Sequence, residues 1–386
     1  MKILIVSKIP THPVTAGNRS FILNNVNLLK KMGHELHFLY IEQISFHGKK
    51  DVNRDIEELT NYWGEKLHIY QQTFIQKIWV VILQRFRWIM NNGYFKCDDE
   101  YPFGLHRCIN KLQKTYGFDA CIVNYYYLSK TLSKIDIPLK GLYTHDYFAY
   151  KALLVGDKNV GYNTTASQEA KAMQRAPHIF ALNTGEAEYF RRLSPCSKVY
   201  NVFNTYSYHH QPLARNHNIV FLSGNNPYNI NGLRWFLTAI FPAICESFND
   251  VKLIIGGSIC NQLQGIQETA HIQKVGIIDN LDAFYTLGDV AINPTYQGTG
   301  LKIKTFEAIS FDKVTMVHPH SIDGIFRPEN APIFSSINRE EWVKYLAKVW
   351  GDDNNVISIK ERNAKYIETL NEFIVSEYER FFSQKE

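Results

Sequence analysis

A strand, loop, helix, strand succession runs twice along this chain, and few folds admit it. Residues Lys2–Ser7 form a continuous apolar run of the kind a strand shows when both faces are covered. A loop with Pro10, Pro13 and Gly17 follows, then a helical pattern that places Ile22, Val26 and Leu29 on one face and closes at Gly33. A second strand is expected over Glu35–Ile41. The same order restarts with a strand over Ile219–Gly224, a helix over Asn231–Phe248 and a strand over Val251–Gly257. Each run predicts an α/β, doubly wound parallel sheet. The chain has 386 residues, too many for one ordinary core and suited to two domains of about 150–200 residues.

Further strands are expected at Leu67–Tyr70, Ala120–Asn124, Leu139–Tyr143, His178–Leu182 and Lys198–Val202, with helices around Leu105–Tyr116 and Thr164–Arg175. Between Phe203 and His217 periodicity is lost and Asn, His and Tyr accumulate, which reads as an interdomain linker. Amphipathic patterns over Asn338–Trp350 and Ile359–Phe382 predict helices, the last packing on the body. The predicted division is residues 1–205, residues 206–365 and a terminal helix at 366–386.

The segment Asn293–Ser310 looks built to hold an anion. Asp289–Ile292 reads as a short buried strand, Pro294 stops it, and Gly298 and Gly300 permit the backbone turns that bring amides close to a ligand. Ile303, Phe306 and Ile309 recur at helical spacing, so a helix begins near Lys302. Lys302 and Lys304 then fall in its first turn, where the helix dipole disfavours a cation by about 0.3–1 kcal/mol. A bound phosphate reverses that sign, because amides, dipole and ammonium groups converge on it. The plainer reading has the lysines in water, with Lys304 paired to Glu307.

A net charge of +5 suits an anionic ligand or membrane surface, and no arginine cluster with interleaved aromatics marks a nucleic-acid module. The six cysteines lack the spacing of a zinc site or disulfide framework and read as core residues in a reducing cytoplasm. No signal peptide or membrane span is expected. The loop after the first strand lacks G-x-G-x-x-G, so no dinucleotide cofactor is indicated. The segment Gln76 to Lys96 sets Trp79, Phe86, Trp88 and Tyr94 beside Lys77, Arg85 and Arg87. It is either an interfacial helix making peripheral contact with the inner membrane or a buried helix with internally paired arginines.

Four places together resemble glycosyltransferase family 4: Thr15-Ala16-Gly17-Asn18-Arg19, Thr144-His145-Asp146, Ser223-Gly224-Asn225-Asn226-Pro227, and the cluster at 298–307. The resemblance implies a GT-B fold, in which two Rossmann-like domains face each other across a cleft, the first binding an acceptor and the second a nucleotide-sugar donor. It implies donor contacts from Gly17, Arg19, Gly224, Asn225, Gly298, Thr299, Gly300, Leu301, Lys302 and Lys304. His145, Asp146 and Glu307 take the catalytic positions, His145 donating a hydrogen bond to a sugar hydroxyl or making a backbone contact. The chain departs from many relatives after Gly224, where an arginine and a lysine are replaced by neutral residues. It also lacks a carboxylate in the Gln297–Thr299 region.

The activity so implied is transfer of a sugar from a UDP- or GDP-linked donor to a glycan or lipid-linked acceptor of a bacterial surface polysaccharide, capsule or lipopolysaccharide, by the retaining reaction of that family. No cofactor or metal is expected, since the sequence has no Asp-x-Asp pair to hold a divalent ion against the diphosphate. Three alternatives stay open at this level: His145 and Asp146 as helix caps, Arg19 in a salt bridge, and the chain as a nucleotide-sugar epimerase or non-catalytic binding subunit.

Overall fold

The computed structural model describes residues 1–385 except 15–16, 43–48, 74–75, 77, 79–81, 83–84, 87, 156–162, 264, 299 and 301. The described residues form two compact units, one of Met1–Thr205 with Ile374–Glu386, the other of Tyr206–Phe373.

The first unit carries strands β1 (Lys2–Ser7), β2 (Glu35–Ile41), β3 (Leu67–Tyr70), β4 (Ala120–Asn124), β5 (Leu139–Tyr143), β6 (His178–Ala181) and β7 (Lys198–Asn201). They form one seven-stranded sheet in the order β3-β2-β1-β4-β5-β6-β7, parallel throughout. Its helices are α1 (Gly17–Lys31), α2 (Lys49–Trp63), α3 (Leu105–Tyr116), α4 (Lys151–Val155), α5 (Ala166–Met173) and α6 (Thr184–Leu193). Leu4, Val6, Leu39, Val123, Leu142 and Ile179 lie in one buried cluster. Burial of such side chains stabilises by about 1.5–3 kcal/mol each, which is why the strands read as unbroken apolar runs.

The second unit holds β8 (Asn218–Leu222), β9 (Lys252–Gly256), β10 (Ile272–Gly276), β11 (Val290–Asn293), β12 (Val314–Val317) and β13 (Ile333–Ser335). Their order is β10-β9-β8-β11-β12-β13, again parallel. Its helices are α7 (Pro227–Trp235), α8 (Phe241–Ser247), α9 (Leu281–Tyr285), α10 (Ile303–Ser310) and α11 (Arg339–Gly351), and α12 (Asp353–Phe382) closes the chain. Sequence periodicity missed β10, β12 and β13, and α7 starts before Asn231 because the Asn226 side chain caps it, accepting from Asn229 N. A π-helical turn, Phe236–Ile240, separates α7 from α8.

Helix α12 starts at Asp353, ahead of the amphipathic run beginning at Ile359. Its Tyr366 and Leu370 are buried in the second unit. Its Ile374, Tyr378 and Phe381 are buried in the first, where the Tyr378 hydroxyl bonds Tyr143 and Asn25.

Both sheets share one strand order with a reversal beside the first strand. Their topological switch points therefore fall between β1 and β4 and between β8 and β11, and ligands of such sheets bind outside the carboxyl ends of those strands.

Candidate functional site

In the second unit the carboxyl ends of β8 and β11 are drawn together by close packing. A Cβ on Gly232 of α7 would lie 2.8 Å from Pro294 O and 2.9 Å from Thr295 Cα, so only glycine lets the helix rest on the loop after β11. Tyr228 packs over Gly298 and Asn231 Nδ2 donates to Gln297 Oε1 at 3.4 Å. The Gly224–Asn226 turn that opens α7 is thus set beside the Gly298–Lys302 loop. Gly224 and Asn225 are exposed there, and Asn225 N donates to Ser258 Oγ at 3.2 Å.

Gly298 and Gly300 have φ of 98° and 88°, the left-handed region that glycine tolerates. Thr299 and Leu301, both expected at the donor, lie outside the described residues. Lys302 sits one position before α10, as its cap residue, and has no side-chain capping bond. Its Nζ reaches Gly298 O at 3.4 Å and lies 3.5 Å from His320 Nε2, while His320 Nε2 donates to the same carbonyl at 2.8 Å. Lys302 therefore folds back over the glycine loop. His320, in the 3-10 turn Pro319–Ile322, thus braces the backbone at Gly298.

Lys304 occupies the first turn of α10, half-buried, with no hydrogen bond and no ion pair among the described residues. Its expected pairing with Glu307 is not formed. Burial, with Lys302 nearby, lowers its ammonium to about 8 against an opposing pull from Glu307. An unpaired charge held partly out of water costs free energy, and an anion at the helix start would offset it. Glu307 instead accepts from the Tyr285 hydroxyl at 2.8 Å, and burial pushes its carboxyl above the usual range.

In the first unit, Gly17 opens α1 and is exposed. Arg19 is committed elsewhere: its guanidinium forms a two-pronged pair with Asp55 at 3.0 and 2.9 Å and donates to Pro13 O at 3.2 Å. It ties the loop after β1 to α2, and its proposed phosphate contact is replaced by this ion pair. Asp146 accepts from Tyr147 N at 2.9 Å and pairs with Lys151.

His145 follows β5 with φ of 65°, and its ring stacks on that of Tyr125 at 4.1 Å and 12°. Tyr125 follows β4, also with positive φ, 71°. Left-handed backbone at two bulky residues is costly, about 1–3 kcal/mol each, and collects at functional sites. The Asn18 side chain of α1 donates to the Tyr125 hydroxyl at 3.4 Å, so Gly17, Tyr125 and His145 share the switch-point edge. Nothing in the sequence marked Tyr125 or Asn124; their importance comes from strand ends that only the sheet brings together.

Residues 216–352 match the family model described as Glycosyl transferases group 1. The match falls within the second unit. A similar protein, an uncharacterized 44.6 kDa protein in the cps region of Klebsiella pneumoniae, is 24% identical over 341 residues, 80% of each chain. Among solved structures, Anabaena HepE in complex with UDP is 10% identical with a TM-score of 0.64, covering 99% of this chain and 100% of that one. Sucrose-phosphate synthase from Thermosynechococcus elongatus is 10% identical with a TM-score of 0.61, covering 100% of both. The pneumococcal O-GlcNAc transferase GtfA with UDP and GlcNAc is 8% identical with a TM-score of 0.63, covering 100% of this chain and 99% of that one. At such identities the likeness is one of fold, the GT-B fold of two Rossmann-like domains.

Proposed function

We propose that this protein is a glycosyltransferase that moves a sugar from a UDP- or GDP-linked donor to a glycan or lipid-linked acceptor of a bacterial surface polysaccharide, with retention. Capsule is the favoured product class, because the similar Klebsiella protein belongs to a cps region. The observation that carries the donor assignment is Lys304, a half-buried ammonium without a partner among the described residues at the start of α10. UDP in the complexes of HepE and GtfA supports the same ligand class.

In this reading Lys302, Lys304 and the amides opening α10 stabilise the diphosphate as negative charge grows on it during departure. Glu307 takes the ribose or sugar hydroxyls. The departing phosphate oxygen accepts the proton of the acceptor hydroxyl on the same face, so no separate base is needed. Neither a metal nor a cofactor is required by this chemistry.

Peripheral contact with the cytoplasmic face of the membrane is part of the proposal. Ile78, Ile82, Phe86 and Met90 recur at helical spacing and are all exposed, with the exposed Arg85 among them. An apolar stripe with basic neighbours suits an anionic bilayer surface, and among the described residues no helix is long and apolar enough to cross a membrane. Trp79, Lys77 and Arg87 of this segment lie outside the described residues.

Incubation of the purified protein with a panel of UDP- and GDP-sugars tests the function. Slow release of nucleotide with free sugar is expected. Isomerised sugar without nucleotide release would replace the transferase reading with an epimerase, and binding without turnover would leave only a binding subunit.

A further inference from the structure

Asn124, at the end of β4, touches the ring of His145, which the family resemblance puts at the transferred sugar. Its Nδ2 lies 3.1 Å from Val6 O, and its Oδ1 lies 2.8 Å from His145 Nε2. A backbone carbonyl only accepts, so the amide group must point its NH2 at Val6 and its oxygen at His145. An amide oxygen also only accepts, so His145 Nε2 must carry the hydrogen. The neutral ring then has an unprotonated Nδ1.

We propose that Asn124 is a positioning residue that holds His145 as the Nε2–H tautomer, so that Nδ1 accepts a hydrogen bond from a sugar hydroxyl of the substrate. This rests on the placement of His145 at the sugar given above and reverses the polarity expected from sequence, where His145 was the donor. Its single N–H is consumed by Asn124, and among the described residues Nδ1 has no hydrogen-bond partner.

Three further features fit. The ring is clamped in orientation, stacked on Tyr125 at 4.1 Å and met edge-on by Phe21 at 5.3 Å. Left-handed backbone at both Tyr125 and His145 is retained although it is strained for such side chains. Burial lowers the imidazole to about 3, so it stays neutral through the physiological range. The titratable groups on the elements around it are the phenols of Tyr125 and Tyr143 and the Asp146–Lys151 pair; Phe21 and Asn18 of α1 contribute none. A site that must receive a hydroxyl proton rejects a sugar lacking that hydroxyl far more strongly than shape alone would.

The test is long-range proton–nitrogen correlation NMR on the full chain with nitrogen-15 histidine, the His145 signals assigned by their loss in His145→Asn. The expected spectrum shows protonated Nε2 and bare Nδ1, unchanged between pH 8 and pH 5. An Nδ1–H tautomer, or an imidazolium at neutral pH, would overturn the proposal. In Asn124→Leu the tautomers should mix, and kcat with the best donor found in the sugar panel should fall about 10- to 100-fold while KM for that donor holds. Unchanged tautomer and kcat would sink it. Should that variant not fold, Asn124→Asp keeps an acceptor on Nε2 and is expected to raise the imidazole into the pH 5–8 range, with turnover lost as the ring protonates; an unmoved His145 titration there counts against the proposal. UDP titration, read on the second unit, separates failure of this inference from failure of the donor assignment.

Discussion

Tyr285 of α9 and Glu307 of α10 are joined by a hydrogen bond of 2.8 Å, the buried phenol donating to Oε1. The bond fixes a half-buried carboxylate, and the second oxygen keeps its acceptor capacity. The same Tyr285 ring stacks on Phe311 at 4.5 Å and 18°.

Tyr285→Phe should therefore preserve the stack and remove only the donor. We expect a loss of about 1–3 kcal/mol in unfolding free energy, the usual cost of depriving a carboxylate of such a bond. UDP or GDP affinity should fall with it, because Glu307 is freed to rotate. Denaturant melts and calorimetric titration measure both; unaltered nucleotide affinity would remove Glu307 from the donor site.

Lys302→Ala and Lys304→Ala each delete a charged hydrogen bond to phosphate, about 1.5–3 kcal/mol, so UDP and GDP affinity should drop about tenfold or more. Neither change should unfold the chain. Removing Lys304 takes away a half-buried charge that has no hydrogen bond among the described residues, so the melting point should hold or rise. Retained affinity in both variants would discard the donor assignment.

Lys304 also sets a pH dependence with opposite signs for binding and stability. Its folded value is about 8, against 10.5 for the ordinary side chain. The diphosphate favours the protonated form, so affinity should be full below pH 8 and fall by up to about tenfold per unit above it. Between pH 8 and 10.5 the unfolded chain holds the proton more firmly, so this residue's contribution to stability rises with pH. Titrating UDP into wild type and Lys304→Arg from pH 7 to 9.5 checks the first trend, and the arginine variant should lose the dependence.

Two glycines, Gly224 after β8 and Gly257 after β9, separate folding from binding. A Cβ on Gly257, where φ is 96°, would lie 2.2 Å from Ser223 O, so Gly257→Ala should destabilise strongly, by at least about 1–3 kcal/mol. On Gly224 the nearest atom to a Cβ is 3.9 Å away and φ is ordinary. Gly224→Ala should melt like wild type and bind UDP more weakly, since its exposed backbone is where a ligand would approach. Equal affinity would remove Gly224 from the site.

Ile82→Ser with Phe86→Ser should weaken co-sedimentation with vesicles containing an anionic phospholipid and leave neutral vesicles unaffected. Unchanged pelleting would set aside membrane contact through this stripe.

Much of the fold was legible because its strands are buried on both faces. Apolar runs such as Lys2–Ser7 and Ala120–Asn124 are read from local composition and match β1 and β4 to the residue. Strands β10 and β13, where no residue is fully buried, carry weaker patterns and were missed. In the site, the glycines and lysines of the 298–304 loop announced themselves by residue type. Arg19 did not announce its partner, because Asp55 lies 36 positions away and is reached only once α1 and α2 pack. The contact of the His320 ring with Gly298 O, 22 positions away, likewise exists only in the folded chain.

The order of residues alone determined that this chain would build parallel sheets with glycine turns at their strand ends and cations at a helix start, since hydrophobic period and backbone freedom are local properties. Which side chains those ends hold together was decided by tertiary structure. The acceptor facing His145 Nε2, the acceptor above Tyr285 and, among the described residues, the lack of a hydrogen bond to Lys304 depend on contacts across strands and helices distant in sequence, and hydrogen bonds and desolvation act through space.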